Sequence, residues 1–158
     1  MSGPAFKSGP CFKHGSHFKT TVAKDISAMV IGDHIACGST RCVYAHAMSP
    51  EDTVVKIEAG DALFCNVYEH QVWEHVEQTE FAKWFAPVRK ISPCGTVLFM
   101  ARCEPVHKTD LPTHVPAFFT DLKANNFGWY EGRVVCIDYG YHRFIERGMT
   151  KKLRKAVW

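Results

Sequence analysis

The chain has 158 residues, 46% of them hydrophobic and 22% charged, with a formal net charge of +3; this is the make-up of one globular domain able to build its own core. No apolar run reaches the roughly 18–20 residues needed to cross a bilayer. The opening MSGPAFKSGPCFKHG has no apolar stretch and no small-residue cleavage site, so neither membrane insertion nor secretion is expected.

The charge is unevenly distributed. Residues 1–24 carry four lysines and no acid, residues 141–158 six basic residues and one acid, and residues 25–140 nine basic and fifteen acidic residues. Basic ends around an acidic body can touch nucleic acid or an acidic partner, but solvated tails are the favoured reading. The seven cysteines (Cys11, Cys37, Cys42, Cys65, Cys94, Cys103 and Cys136) are odd in number, scattered and without a CxxC pair. Free thiols in a reducing cytosol are therefore expected. Structural zinc usually announces itself by paired short Cys or His spacings, so no zinc site is expected, although the nine histidines leave a metal site open.

In chain order, residues 1–26 read as a basic N-terminal extension in which Phe-Lys recurs at Phe6-Lys7, Phe12-Lys13 and Phe18-Lys19. Short strands are predicted over 29–32 and 41–46, around the segment ACGST. A turn at Ser49-Pro50-Glu51-Asp52 leads to a β-branched strand over 53–57, which makes a hairpin with 41–46. Residues 61–80 predict a helix with Leu63, Val67, Val72, Trp73 and Val76 on one stripe. A second hairpin is expected from 88–91 and 96–100 around Ser-Pro-Cys-Gly, followed by a connector over 101–105. Pro112 and Pro116 argue against a long helix over 106–120. A turn at Glu131-Gly132 precedes a strand over 133–137. The tail 141–158 reads as a short basic helix.

Four motifs then stand in a telling order. Ala36-Cys37-Gly38-Ser39-Thr40-Arg41-Cys42-Val43 is a glycine-containing loop. Val54-Val55-Lys56-Ile57 sets a lysine on a strand. Glu69, with Glu74 as its rival, is a helical carboxylate able to orient that lysine. Asp121-Leu122-Lys123-Ala124-Asn125-Asn126 precedes Asp138-Tyr139-Gly140 at the end of an apolar strand.

These motifs resemble those of the protein-kinase superfamily, in the family's order, across about residues 31–140. The resemblance implies an α+β, protein-kinase-like fold. Its N-lobe and hinge would occupy 27–105 as an antiparallel sheet with one main helix. A severely shortened C-lobe over 106–158 would hold the catalytic-loop and DYG motifs and the basic tail. The resemblance further implies an ATP- and Mg2+-dependent phosphotransferase, most simply a minimal serine/threonine kinase acting on a protein. Gly38, Val43, Lys56, Glu69, Met100 and Arg102 would surround the nucleotide. Asn126 and Asp138 would ligate magnesium. Asp121 would accept the acceptor's proton, and Lys123 would neutralise charge on the transferred group.

The chain departs from the family in three ways. Phe118-Phe119-Thr120 stands where a His-Arg pair is usual, only eighteen residues follow Gly140, and two of the three loop glycines are absent. An aromatic layer of Phe118, Phe119, Phe127, Trp129, Tyr130, Tyr139 and Tyr141, or a homo-oligomer interface, is expected to replace the missing support. The same departures favour, as the alternative, a degenerate kinase-like module that binds and modulates a host factor. Similar miniature proteins are carried by bacteriophages, which implies a host protein as target and the host cytoplasm as location. Nucleic acid through the basic tails is a less favoured partner, and no membrane is expected.

Overall fold

A computed structural model describes residues 21–58, 64–140, 142 and 144–158. The fold is α+β, built on antiparallel sheets with three α-helices among the described residues. The first helix, α1 (Thr21–Val30), leads into β1 (Ile31–Cys37), β2 (Arg41–His46) and β3 (Thr53–Glu58). Next come α2 (Cys65–Val76), β4 (Val88–Ile91) and β5 (Val97–Ala101). Together the strands form a five-stranded sheet in the order β1-β2-β3-β5-β4, every neighbour antiparallel.

Register explains how this sheet serves a site. Side chains alternate between faces along a strand, so Arg41, Val43 and Ala45 share a face. Their partners Glu58, Lys56 and Val54 lie on that face too, as do Leu98 and Met100 on β5. Helix α2 packs against β3, β4 and β5 and buries Val72 and Val76 completely.

The start of α2 is fixed to the sheet. Phe64, at φ 55°, turns the chain into the helix and offers no side-chain cap. Glu58 on β3 caps it instead, its carboxylate accepting from the amides of Cys65 (2.6 Å) and Asn66 (3.2 Å), where a helix start favours negative charge. The Asn66 amide donates to the carbonyls of Lys56 (3.3 Å) and Thr96 (3.0 Å).

The remainder is built from short pieces. Strands β6 (Glu104–Pro105), β8 (Phe127–Tyr130) and β9 (Arg133–Cys136) form a small antiparallel sheet, and β7 (His114–Pro116) pairs with β10 (Leu153–Lys155). A one-turn helix, α3 (Phe144–Arg147), precedes β10. Phe85 is the hub of the aromatic core, with ring centroids 5.1 Å from Tyr139, 5.4 Å from Phe119 and from Phe144, and 6.1 Å from Phe118. Phe127 packs 4.9 Å from Trp158. Phe119, Phe127 and Tyr139 thus belong to the buried core as expected, Phe118 and Tyr130 pack against it half-buried, and Trp129 is half-buried.

Several expectations need correcting. Residues 21–30 are helical where the extension was expected to run to 26 and a strand to start at 29; Val22, Ile26 and Met29 are all exposed, so their apolar pattern does not mark a buried element. The C-terminal tail is a single helical turn and a short strand in place of the short basic helix expected, with most of its residues exposed. Arg154 donates to Phe119 O at 2.6 Å and Trp158 Nε1 to Pro112 O at 3.0 Å. Cys37 and Cys42 are joined by a disulfide. Linear spacing concealed this, because the β1–β2 register sets the two residues directly opposite each other, their Cα atoms 4.1 Å apart. The Phe-Lys repeats, the first residues of the expected helix at 61–63, and Tyr141 lie outside the described residues. No helix among the described residues is long and apolar enough to cross a membrane.

Candidate functional site

Lys56 is the centre of the site. Strand β3 aims it beneath α2, where its ammonium is almost fully buried and donates to both oxygens of Glu69, at 2.9 and 3.2 Å. It also donates to the carbonyl of Ile137 at 2.6 Å. Glu69 is fully buried, while Glu74 lies on the exposed side of α2 and pairs with His70 at 3.3 Å. Of the two carboxylates weighed from sequence, Glu69 is the one that meets the lysine.

Ile137 joins two motifs. Its carbonyl faces Lys56, and its N–H donates to the carbonyl of Asn126 at 2.8 Å. Asp138 follows directly, two residues past the end of β9. Tyr139 then donates its amide to Glu69 at 3.0 Å and its hydroxyl to Ala86 O at 2.8 Å. Gly140 is required for this approach. A Cβ there would stand 2.9 Å from the Cβ of Cys65 and 3.0 Å from its carbonyl oxygen, closer than packed atoms tolerate.

In the catalytic-loop motif, Asp121 accepts from Lys123 at 3.0 Å and from the Asn126 amide at 3.2 Å. Asp121 and Lys123 are both substantially exposed and Asn126 is buried. A groove of about 280 Å³ opens beside this loop, with Thr120, His142, Arg147 and Thr150 in its wall.

Arg41 is the residue that motif reading passed over. Its guanidinium is buried and donates to Glu69 (2.6 Å), Asp138 (2.5 Å) and Asn66 (3.2 Å). Two cations, Arg41 and Lys56, thus face two carboxylates, Glu69 and Asp138. Burial alone would push the Glu69 carboxyl up, but Lys56 and Arg41 overcome it and hold the group below the usual carboxylate range. Burial draws Lys56 down from its ordinary value, with Glu69 opposing and Arg41 adding to the fall. Burial also opposes the charge on Arg41, yet Glu69 and Asp138 raise it above its ordinary value. A signal for Arg41 did exist: it lies two residues before Val43, hence on the same face of β2.

His142 was also passed over. It is buried, stacked on Phe144 at 4.7 Å, with Nδ1 3.3 Å from the Thr120 hydroxyl. Burial lowers its pKa, while Asp121, Asp138 and Glu69 pull the other way.

The other predicted residues are less central. Val43 lies opposite Lys56 in the ladder. Gly38 closes the β1–β2 turn, its amide donating to Arg41 O at 2.8 Å. A Cβ at Gly38 would meet that oxygen at an ordinary 3.7 Å, so the turn does not demand glycine. Met100 is packed into the core. Arg102 is engaged by the β2–β3 turn, with its amide on Asp52 O at 2.8 Å and its guanidinium on Pro50 O at 2.6 Å. Its amide is therefore committed within the protein, where the resemblance would turn the backbone of this connector toward an adenine.

The fold therefore brings Lys56, Glu69, Asn126 and Asp138 into one hydrogen-bonded cluster, with Asp121 and Lys123 at its edge and Arg41 at its heart. No protein-family model matches the chain, and no curated protein matches it.

Proposed function

We propose that this cluster binds Mg-ATP and that the chain transfers the γ-phosphoryl group to a hydroxyl on a protein, as a minimal serine/threonine kinase-like enzyme. The observation that carries the reading is the Ile137 backbone, whose carbonyl accepts from Lys56 and whose N–H donates to the carbonyl of Asn126. Through it, three segments distant in the chain are held together, which supports a shared site.

The donor set fits the ligand. Magnesium takes oxygen donors, and Asp138 and Asn126 offer a carboxylate and an amide oxygen. Asn126 uses its nitrogen on Asp121, which leaves the oxygen as its ligand atom. Bound magnesium and triphosphate supply the reactive phosphorus and much of the charge neutralisation. The chain's own residues then have distinct tasks. Lys56, oriented by Glu69, holds phosphate oxygens. Asp121 accepts the proton of the incoming hydroxyl, and Lys123 offsets charge on the group in transit. The groove beside Thr120 is where the acceptor approaches. Arg41 holds Oδ1 of Asp138, so ligation of a cation by that oxygen requires Arg41 to let go.

Purified protein incubated with γ-labelled ATP, Mg2+ and cell lysate should label protein, and Asp138→Ala should lower the labelling by about 10²-fold or more. Equal labelling with both proteins would end the proposal.

A second reading draws on Arg41. Because Arg41 already gives Asp138 and Glu69 a counter-charge, the cluster is balanced without a metal, as suits a degenerate module that only binds a partner. A thermal shift separates the two. A ligand at a hundredfold excess over its Kd stabilises by about 2.7 kcal/mol, so an unmoved Tm in saturating Mg-ATP favours the binding module.

A further inference from the structure

The β1–β2 hairpin carries a second cluster, separate from the one just described. Residues 34 and 37 lie three apart on β1, and in a regular strand an odd offset puts side chains on opposite faces. Here the register slips between His34 and Ala36: His34 pairs with Tyr44, while Ala36 and Cys37 pair with Val43 and Cys42. One extra residue in β1 restores His34 to the face of both sulfurs, and re-aiming a side chain is what a bulge does. His34 Nε2 lies 3.2 Å from Cys37 Sγ. The imidazole nitrogen and the two sulfurs all lie within 4.8 Å of one another. The His34 ring is held edge-on to the buried Tyr44, centroids 5.4 Å apart.

We propose that the dithiol form of this hairpin is a zinc site, with His34 Nε2, Cys37 Sγ and Cys42 Sγ as ligands and solvent in the fourth position. Zinc favours thiolate and imidazole in a tetrahedron, with bonds of about 2.3 Å to sulfur and about 2.0 Å to nitrogen. Ligand atoms in such a tetrahedron stand about 3.3–3.8 Å apart. On reduction the two sulfurs leave their bonded separation of about 2.05 Å and must part by roughly 1.7 Å, while the widest of the three gaps closes by up to about 1 Å, movements that rotation about χ1 of the two cysteines supplies. Two thiolates and one neutral imidazole cancel the charge of Zn2+. The exposed His34 and half-buried Cys37 open the position to water.

Disulfide and metal are then alternative states of the same two sulfurs. A dithiol reductant gives two electrons and two protons to the Cys37–Cys42 bond and becomes a disulfide itself. Zinc binding next displaces the two thiol protons to solvent. Oxidation by a disulfide-class oxidant reverses the sequence and releases the ion.

The test uses full-length protein, reduced with a phosphine and titrated with Co2+ under anaerobic conditions. Thiolate-to-cobalt charge-transfer absorption in the near-ultraviolet, with the visible bands of a tetrahedral site, should saturate at one equivalent and bleach on adding Zn2+. Cys94→Ser should keep the spectrum. Cys42 is buried, so Cys37→Ser and His34→Ala carry the decision. The first should abolish the charge transfer. The second should weaken Co2+ binding by more than the roughly tenfold that losing even an outer-sphere partner costs. Absence of the charge-transfer band in reduced wild type would overturn the proposal, as would an unchanged band and affinity in Cys37→Ser and His34→Ala. These results do not depend on nucleotide binding, so the two proposals stand or fall separately.

Discussion

Glu69→Gln tests the buried charge cluster most directly. The substitution preserves shape and removes one negative charge from a position with no solvent exposure. In the wild type, Arg41 and Lys56 balance Glu69 and Asp138. The variant leaves one buried positive charge uncompensated, with Lys56 still held at Ile137 O. Breaking a buried pair by deleting one partner costs about 3–5 kcal/mol. With a urea slope of about 2 kcal/mol per molar, the unfolding midpoint should fall by roughly 1.5–2.5 M. Arg41→Met is the internal contrast. It leaves Glu69 paired with Lys56, and the Asp138 side chain is 43% exposed, so water can replace the lost donor and the cost falls to about 1–3 kcal/mol. Tryptophan fluorescence during urea unfolding measures both. The reasoning fails if Glu69→Gln shifts the midpoint by less than Arg41→Met does.

Further outcomes follow from other contacts. Gly140→Ala should destabilise by about 1–3 kcal/mol in the same assay, because the new methyl meets backbone at Cys65; a neutral result would mean that the DYG segment does not press on α2. His142 has a folded pKa below its unfolded one, so the unfolded chain takes up the proton more readily. Stability should therefore fall as pH drops below about 6.5, and His142→Asn should flatten the slope of Tm against pH. The Cys94 thiol is exposed and lowered to about 7, chiefly by hydrogen bonding with Thr96 and then with Ser92. Burial pushes Cys103 up to about 12. Brief alkylation near neutral pH followed by peptide mass mapping should find Cys94 modified well ahead of Cys103.

The parts of this fold with local causes were readable from the chain. The β2–β3 and β4–β5 hairpins announce themselves by β-branched runs around turn residues, and α2 by its apolar stripe. Asp138 could be placed at a strand end because Val134–Val135–Cys136–Ile137 precedes it. What escaped has non-local causes. Arg41 looks like an ordinary strand residue until the fold carries Glu69 and Asp138 to it from 28 and 97 positions away. The Cys37–Cys42 bond depends on hairpin register, and the position of His34 depends on a bulge that no composition reveals. The tail becomes β10 because β7, about forty residues upstream, offers it an edge; its own basic composition argued for solvent.

The anchoring of α2 bears on how the molecule could move. Glu58 and Asn66 make four hydrogen bonds between the first turn of that helix and the sheet. At about 1 kcal/mol each, they leave a lifted helix in roughly one molecule per thousand at any instant. Helix and sheet therefore travel as a single rigid plate. Any opening motion that admits a ligand has to hinge elsewhere, at the segments on either side of that plate.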